Sequence, residues 1–165
     1  MKMESAAKDI NKIKLKQLLI PQLEEGLRGH HKFIKETVPL IKELLRLLTI
    51  NHGQINPELI CINEKFSVLV NELFLQIKKD EEEVFPMLKY NNSKETLKHI
   101  KLITRHEQSF LKALFRDIRT LSNDYNLPTG ACKVYTLTYQ RLQAFDRQLT
   151  LYLDIESCFH KNREV

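Results

Sequence analysis

The chain has 165 residues with a formal net charge of +5, a length typical of one domain with its own core, and no run of about 18 apolar residues that would predict a membrane span. The lysine-rich segment Met1–Lys16 lacks the apolar block of a secretory signal, so the sequence predicts a cytoplasmic protein without a membrane role. The positive charge is spread over predicted helix faces, which argues against nucleic-acid binding.

Turn-forming stretches divide the chain into four long, leucine-rich segments. The turns are Asn51–Pro57, Asn91–Ser93 and Asn126–Gly130. The helices predicted between them are Gln22–Thr49, Pro57–Tyr90, Ser93–Tyr125 and Ala131–Lys161. Because short connections favour antiparallel neighbours, the predicted fold is an all-α, up-down-up-down four-helix bundle over residues 21–165. Residues 1–20 form an N-terminal extension that could add a short leading helix.

The predicted buried stripes of the first two helices contain three polar positions. Residues spaced by three and four share one helix face, and a bundle buries that face. On the first helix the stripe is Leu27, His31, Ile34, Val38, Ile41, Leu45 and Leu48. On the second helix it is Ile62, Phe66, Leu69, Leu73, Gln76, Asp80, Val84 and Met87. Prolines at Pro39 and Pro86 predict kinks in these two helices.

The third and fourth stripes are interrupted by polar residues as well. The third is Ile103, His106 and Phe110. The fourth is Tyr135, Leu142, Phe145, Leu149, Tyr152, Glu156 and Phe159. At a rise of about 1.5 Å per residue, the polar positions of all four stripes lie within about one helical turn of a common height. The sequence therefore predicts one polar layer inside the bundle.

This polar layer has the composition of a metal site. Burying an unpaired carboxylate is costly, and a cation is an effective partner for it. Asp80 and Glu156 each follow a polar residue four positions earlier, so each pair shares a helix face. We predict that Asp80 and Glu156 bridge two metal ions, with His31 and His106 as terminal ligands. Oxygen and imidazole ligands favour iron, with manganese or zinc as alternatives.

Five stretches of the chain resemble hemerythrin-like domains, most closely those of the iron-centre repair (RIC) di-iron proteins. They are HHKFIKETVPLI at His30–Ile41, KKDEEEVFPML at Lys78–Leu88, TRHEQSFLKAL at Thr104–Leu114, LPTGAC at Leu127–Cys132 and YLDIES at Tyr152–Ser157. Each motif alone is loose, but their order and spacing are specific. The resemblance implies a non-haem iron centre that acts in the response to nitric oxide or oxidative stress, by iron–sulfur cluster repair or by sensing iron, NO or O2.

The resemblance also implies a set of ligands. The family pattern is one histidine on helix one, HxxxE on helix two, one histidine on helix three and HxxxE on helix four. Carried over by position, the ligand set of this chain is His31, Gln76, Asp80, His106, Tyr152 and Glu156. Gln76 and Tyr152 stand where the family has histidines, and Asp80 replaces a glutamate. Tyrosinate binds ferric iron well, so Tyr152 is a candidate ligand, whereas the amide oxygen of Gln76 is a weak donor.

Two alternatives to this metal site follow from the same residues. The layer could be vestigial and closed by hydrogen bonds, with the bundle acting as a protein-interaction module. His99 and His160 could form a second polar layer nearer the end of the bundle. No serine nucleophile, phosphate loop or nucleotide fingerprint is present, so the sequence predicts no catalytic residues.

The cysteines and His52 are expected to have structural roles. Cys61, Cys132 and Cys158 are far apart and form no CxxC pair, so we expect reduced thiols in the core. His52 lies about 30 Å from His31 along a straight helix, too far to share a metal ion. We expect it to cap the carbonyl end of the first helix.

Overall fold

The computed structural model describes residues 2–90 and 94–161, with side chains described chiefly at 24–87 and 106–153. Within these ranges the chain consists of helices joined by turns. The elements are α1 (Lys2–His52), α2 (Glu58–Lys79), a π-helical turn (Asp80–Val84), α3 (Phe85–Tyr90), α4 (Lys94–Leu121) and α5 (Lys133–Lys161). Because α2, the π-helical turn and α3 are continuous, these elements form four helical rods within the described ranges. The predicted all-α class is confirmed.

The four rods pack around a common apolar core. Helix α1 packs against α2 and α5, and α4 packs against the same two helices, so the principal contacts form a closed ring. Phe66 and Phe145 are fully buried at its centre, with ring centroids 5.8 Å apart. This ring of neighbours is that of a four-helix bundle, while the up-down-up-down direction of the rods stays a prediction. No helix within the described residues is long and apolar enough to cross a membrane.

The buried faces of α1 and α2 match the predicted stripes closely. All seven predicted positions of α1 are buried, and so are the first six of α2, from Ile62 to Asp80. Beyond Asp80 the prediction fails, because Val84 is half-buried and Met87 is exposed. The physical reason is the π-helical turn, since an extra residue in one turn rotates the following helix about its axis.

The predicted stripe of α4 is wrong. His106 and Phe110 are exposed, and the side chain of Ile103 lies outside the described residues. The core positions of α4 are instead Gln108, Leu111, Leu114, Phe115 and Ile118. Apolar residues occur on two faces of this helix, and α2 and α5 cover the face that carries Leu111 and Phe115. On α5, five predicted positions from Tyr135 to Tyr152 are buried, whereas the side chains of Glu156 and Phe159 are not described.

The three prolines within the helical rods have different consequences. Helix α1 continues without a break through Pro21 and Pro39, so residues 2–20 extend the first helix rather than form a separate one. Pro86 follows the π-helical turn Asp80–Val84. Proline has no N–H for the carbonyl four residues earlier, and a wider turn is one way to accommodate that loss. The irregularity expected near Pro86 therefore takes the form of one widened turn that carries Asp80.

The chain leaves the end of α1 through Gly53, where there is no room for a side chain. The Gly53 N–H donates to the Thr49 carbonyl at 2.8 Å, and a Cβ on Gly53 would overlap that carbonyl oxygen and lie 3.3 Å from Ile60 Cγ1. We expect Gly53→Ala to lower the free energy of unfolding by about 1–3 kcal/mol through this overlap. Urea denaturation followed by circular dichroism measures the change.

A second glycine provides the matched control for Gly53→Ala. Gly29 is an exposed residue in the interior of α1, and a Cβ there would have no neighbour within 4 Å. We expect Gly29→Ala to raise the free energy of unfolding by about 0.5–1 kcal/mol, because alanine favours a helix interior over glycine. If Gly53→Ala were as stable as Gly29→Ala, the close packing of the α1–α2 turn would be disproved.

A buried ion pair holds the connection between α4 and α5. Arg119 donates to both carboxylate oxygens of Asp146, from Nε at 2.6 Å and from Nη2 at 2.5 Å. The Tyr125 hydroxyl donates to the same carboxylate at 2.8 Å.

Helix α4 ends at Leu121, earlier than the predicted end at Tyr125. The reason is that three consecutive residues, 123–125, adopt positive φ values of 49°, 55° and 62°. L residues favour this conformation only when other contacts hold it.

Candidate metal centre

Three of the predicted ligands are buried near one another. His31 on α1 is 2% exposed, Gln76 on α2 is 5% exposed and Asp80 in the π-helical turn is 6% exposed. The Nε2 atom of His31 lies 3.3 Å from Oδ2 of Asp80. Gln76 and Asp80 are one turn apart on the same rod, as their i, i+4 spacing predicted. The structure therefore places the polar interruptions of the first two stripes together.

The polar atoms that these residues present to the interior have no hydrogen-bond partner among the residues that the structure describes. His31 Nε2, Gln76 Oε1 and Asp80 Oδ2 are all inaccessible to solvent and unpaired. The 3.3 Å separation of His31 Nε2 and Asp80 Oδ2 is an ion-pair distance, but the two groups are not aligned for a hydrogen bond. An unsatisfied buried polar atom costs about 1–3 kcal/mol. An imidazole nitrogen, an amide oxygen and a carboxylate oxygen all donate lone pairs, so a cation would satisfy all three.

Glu81 orients His31 from the other side of the imidazole ring. His31 Nδ1 lies 3.3 Å from Glu81 Oε1, and Lys35 Nζ donates to the same oxygen at 3.1 Å. With the proton on Nδ1, His31 donates to Glu81 and keeps a lone pair on Nε2. Histidine ligands of metal ions commonly have such a carboxylate partner on the second nitrogen. Glu81 is the first of three consecutive acids, Glu81–Glu83, and such runs are usually solvated, so the sequence gives no sign of this contact.

Electrostatics keep Glu81 ionised. The hydrogen bond from Lys35 is the largest cause that lowers the pKa of Glu81, and the Lys35 charge and His31 add to it. A carboxyl group whose pKa is lower in the folded state stabilises the fold above its ordinary pKa. That contribution is lost as the pH falls through the lowered value. Glu81 is therefore an acceptor for His31 at neutral pH.

Aromatic contacts hold the His31 ring on one side and join Tyr152 to the neighbouring His30. Phe85 stacks on His31 with centroids 5.9 Å apart, and the Arg28 guanidinium lies 4.9 Å from the Phe85 centroid. Tyr152 on α5 is 2% exposed, and its ring lies 4.9 Å from that of His30. Burial, followed by the charge of His31, lowers the pKa of His30. His30 is thus a partly buried residue that links α1 to Tyr152.

Of the other predicted ligands, one is described away from this cluster and one lies outside the described side chains. His106 is exposed on α4, so the prediction that it faces the core is wrong. Glu156, His99 and His160 lie outside the described side chains. Among the side chains that are described, no group of three or more His, Cys, Asp or Glu residues could hold a metal ion. The site as described consists of His31, Asp80 and the amide of Gln76.

A cleft of about 400 Å³ adjoins Gln76. It lies between α2 and α4, and its lining includes Glu72, Gln76, Lys79, Glu82, Glu107 and Leu111. Lys79 Nζ pairs with Glu107 Oε1 across it at 2.5 Å. The cleft brings solvent close to one side of the buried polar cluster.

The chain is similar to proteins named iron-sulfur cluster repair protein ScdA. Those of two Staphylococcus epidermidis strains are 28% identical over 134 residues, which is 78% of this chain and 59% of the relative. That of Staphylococcus haemolyticus is 23% identical over 155 residues, which is 90% of this chain and 69% of the relative. The chain therefore spans about 59% of the length of the S. epidermidis proteins. No protein-family model matches the chain.

Proposed function

We propose that this chain is a hemerythrin-like, iron-binding helical bundle that acts in iron–sulfur cluster repair in the cytoplasm, under nitric oxide or oxidative stress. The observation that carries the proposal is that His31 Nε2, Gln76 Oε1 and Asp80 Oδ2 are buried without a hydrogen-bond partner among the described residues. His31 Nε2 lies 3.3 Å from Asp80 Oδ2, and Gln76 is one helical turn before Asp80. Similarity to proteins named for cluster repair supports iron as the metal. Manganese and zinc also bind oxygen and imidazole donors, so they are the alternatives to iron. Elemental analysis distinguishes the three metals.

The residues have distinct roles in this proposal. His31 and Asp80 are the main ligands, and Gln76 is a weak third donor. Glu81 holds the His31 ring in the ligating orientation, and Phe85 excludes water from one face of it. Tyr152 is the proposed ferric ligand, and Glu156, one turn further along α5, is the proposed second acid. Bound iron would supply an exchangeable ion for repair and an open coordination position for NO or O2.

Hydrogen bonding within the polar layer is the competing explanation. It would make the site vestigial and the bundle a protein-interaction module. Such a layer needs partners for its buried atoms, and the Nε2 of His31 and the Oδ2 of Asp80 have none in the described part of the chain. The unpaired atoms therefore favour the metal.

Elemental analysis tests the proposal directly. Protein purified from iron-supplemented cells is expected to contain about one equivalent of iron and to show a visible tyrosinate-to-iron band. Less than about a tenth of an equivalent of any transition metal, together with no absorption band after reconstitution with ferrous or ferric iron, would refute it. Manganese or zinc in place of iron would keep the metal site but contradict the proposed role of iron.

A further inference from the structure

A cysteine–histidine pair lies at the end of the bundle where α1 finishes and α5 begins. Cys132 Sγ is 3.3 Å from His52 Nε2, within hydrogen-bond distance for sulfur, although 80 residues separate the two in the chain. Both side chains are half-buried, so solvent reaches the pair. Along the continuous helix α1, His52 is about 30 Å from His31. The pair is therefore separate from the candidate metal centre.

Neighbouring residues hold the pair in place. Cys132 directly precedes α5, and its carbonyl accepts hydrogen bonds from the N–H of Thr136 at 3.0 Å and from its hydroxyl at 3.2 Å. The Tyr135 ring contacts the His52 imidazole edge-on, with centroids 5.9 Å apart. The contact between the thiol and the imidazole is therefore fixed by the ends of the two helices that carry them.

The two helix ends favour the same distribution of charge. Unpaired N–H groups give a helix N-terminus a partial positive charge, and unpaired carbonyls give a C-terminus a partial negative charge. Cys132 directly precedes the N-terminus of α5, so the positive end of that helix lies next to the thiol. His52 is the last residue of α1, so the negative end of that helix lies next to the imidazole. Burial is the largest cause that raises the pKa of the neighbouring Tyr135, and the charge of Glu58 on α2 adds to it, so an acid also lies near this end of the bundle.

We propose that Cys132 and His52 form a reactive thiol site for small oxidants of the hydroperoxide class. A thiolate next to a protonated histidine is the usual arrangement of a reactive cysteine. The sulfur attacks one peroxide oxygen, so that an S–O bond forms and the O–O bond breaks. The sulfur is oxidised by two electrons to sulfenic acid and the peroxide is reduced. The leaving oxygen takes its proton from His52 and departs as water or an alcohol.

Competitive alkylation with iodoacetamide tests the reactivity of the pair, because Cys61 provides a comparison within the same molecule. Cys61 is exposed on α2, whereas Cys132 is half-buried. Exposure alone predicts that Cys61 reacts faster. We expect the reverse at pH 7, with Cys132 alkylated about tenfold faster as measured by peptide mass spectrometry.

Two histidine variants test whether His52 causes the high reactivity of Cys132. His52→Gln keeps a polar group near the sulfur but cannot hold the proton, so we expect Cys132 to become slower than Cys61. His106→Gln, at an exposed histidine on α4, should leave the ratio unchanged. Circular dichroism confirms that each variant is folded before labelling.

Hydrogen peroxide provides the second measurement. In its presence dimedone is expected to trap a sulfenic acid at Cys132 and not at Cys61. The proposal is overturned if Cys132 reacts more slowly than Cys61 in the unmodified protein, if folded His52→Gln keeps the original ratio, or if dimedone labels the two cysteines equally.

Discussion

Asp80→Asn is expected to reduce bound iron by about tenfold or more without destabilising the metal-free protein. The amide keeps the size of the side chain but removes the negative charge that a cation would neutralise. Asp80 Oδ2 is buried and has no hydrogen-bond partner in the described part of the chain, so an uncharged side chain should be tolerated equally well or better when no metal is bound. Elemental analysis measures the metal, and urea denaturation in the presence of a chelator measures the stability.

The stability of the metal-free variant separates the two explanations of the polar layer. If hydrogen bonds close the layer, Asp80→Asn should lower the free energy of unfolding by about 1 kcal/mol or more. If a metal occupies it, the loss appears only when iron is present. Glu82→Gln, an exposed acid in the same π-helical turn, is the matched control and should change neither quantity. Equal metal content in both variants would remove Asp80 from the ligand set.

The second large effect is expected at Asp146, which is 3% exposed and joins Arg119 and Tyr125. We expect Asp146→Ala to lower the free energy of unfolding by about 3 kcal/mol. Removing one partner of a buried ion pair typically costs about 3–5 kcal/mol, because the other is left uncompensated. The lower end applies here, since the Arg119 side chain is 39% exposed and water can solvate part of its charge.

An exposed ion pair between α2 and α4 is the matched control for Asp146→Ala. Asp117 accepts from Lys65 at 2.7 Å, with the two side chains 42% and 37% exposed. We expect Asp117→Ala to lower the free energy of unfolding by less than about 1 kcal/mol. Both variants are compared by urea denaturation. Equal losses would show that the Asp146 cluster does not hold the α4–α5 connection.

Residue spacing was sufficient to predict the buried face wherever a helix has one apolar face. On α1 every position from Leu27 to Leu48 at steps of three and four is buried, and His31 is buried with them. The spacing failed on α4, where Phe110 and Leu111 are adjacent apolar residues that point in different directions. Only the helices packed against α4 decide which of the two is covered, and they cover Leu111.

Contacts between residues far apart in the chain could not be predicted from sequence patterns. Glu81 appeared to be one acid in an exposed run, yet it contacts His31, 50 residues away. Cys132 was expected in the core, but it is half-buried beside His52, and Cys61 is exposed. Neither contact produces a periodic signal, because each joins one residue to one other across the fold.

The sequence by itself determined the all-α class, the approximate helices and the burial of His31, Gln76 and Asp80. Turn residues and apolar spacing act within one helix, so they can be recognised without the rest of the chain. The tertiary structure alone decided that three buried lone-pair donors lack hydrogen-bond partners among the described residues, that Glu81 orients His31, and that His106 faces solvent. These features depend on the rotation and packing of whole helices, which the π-helical turn and the neighbouring rods control.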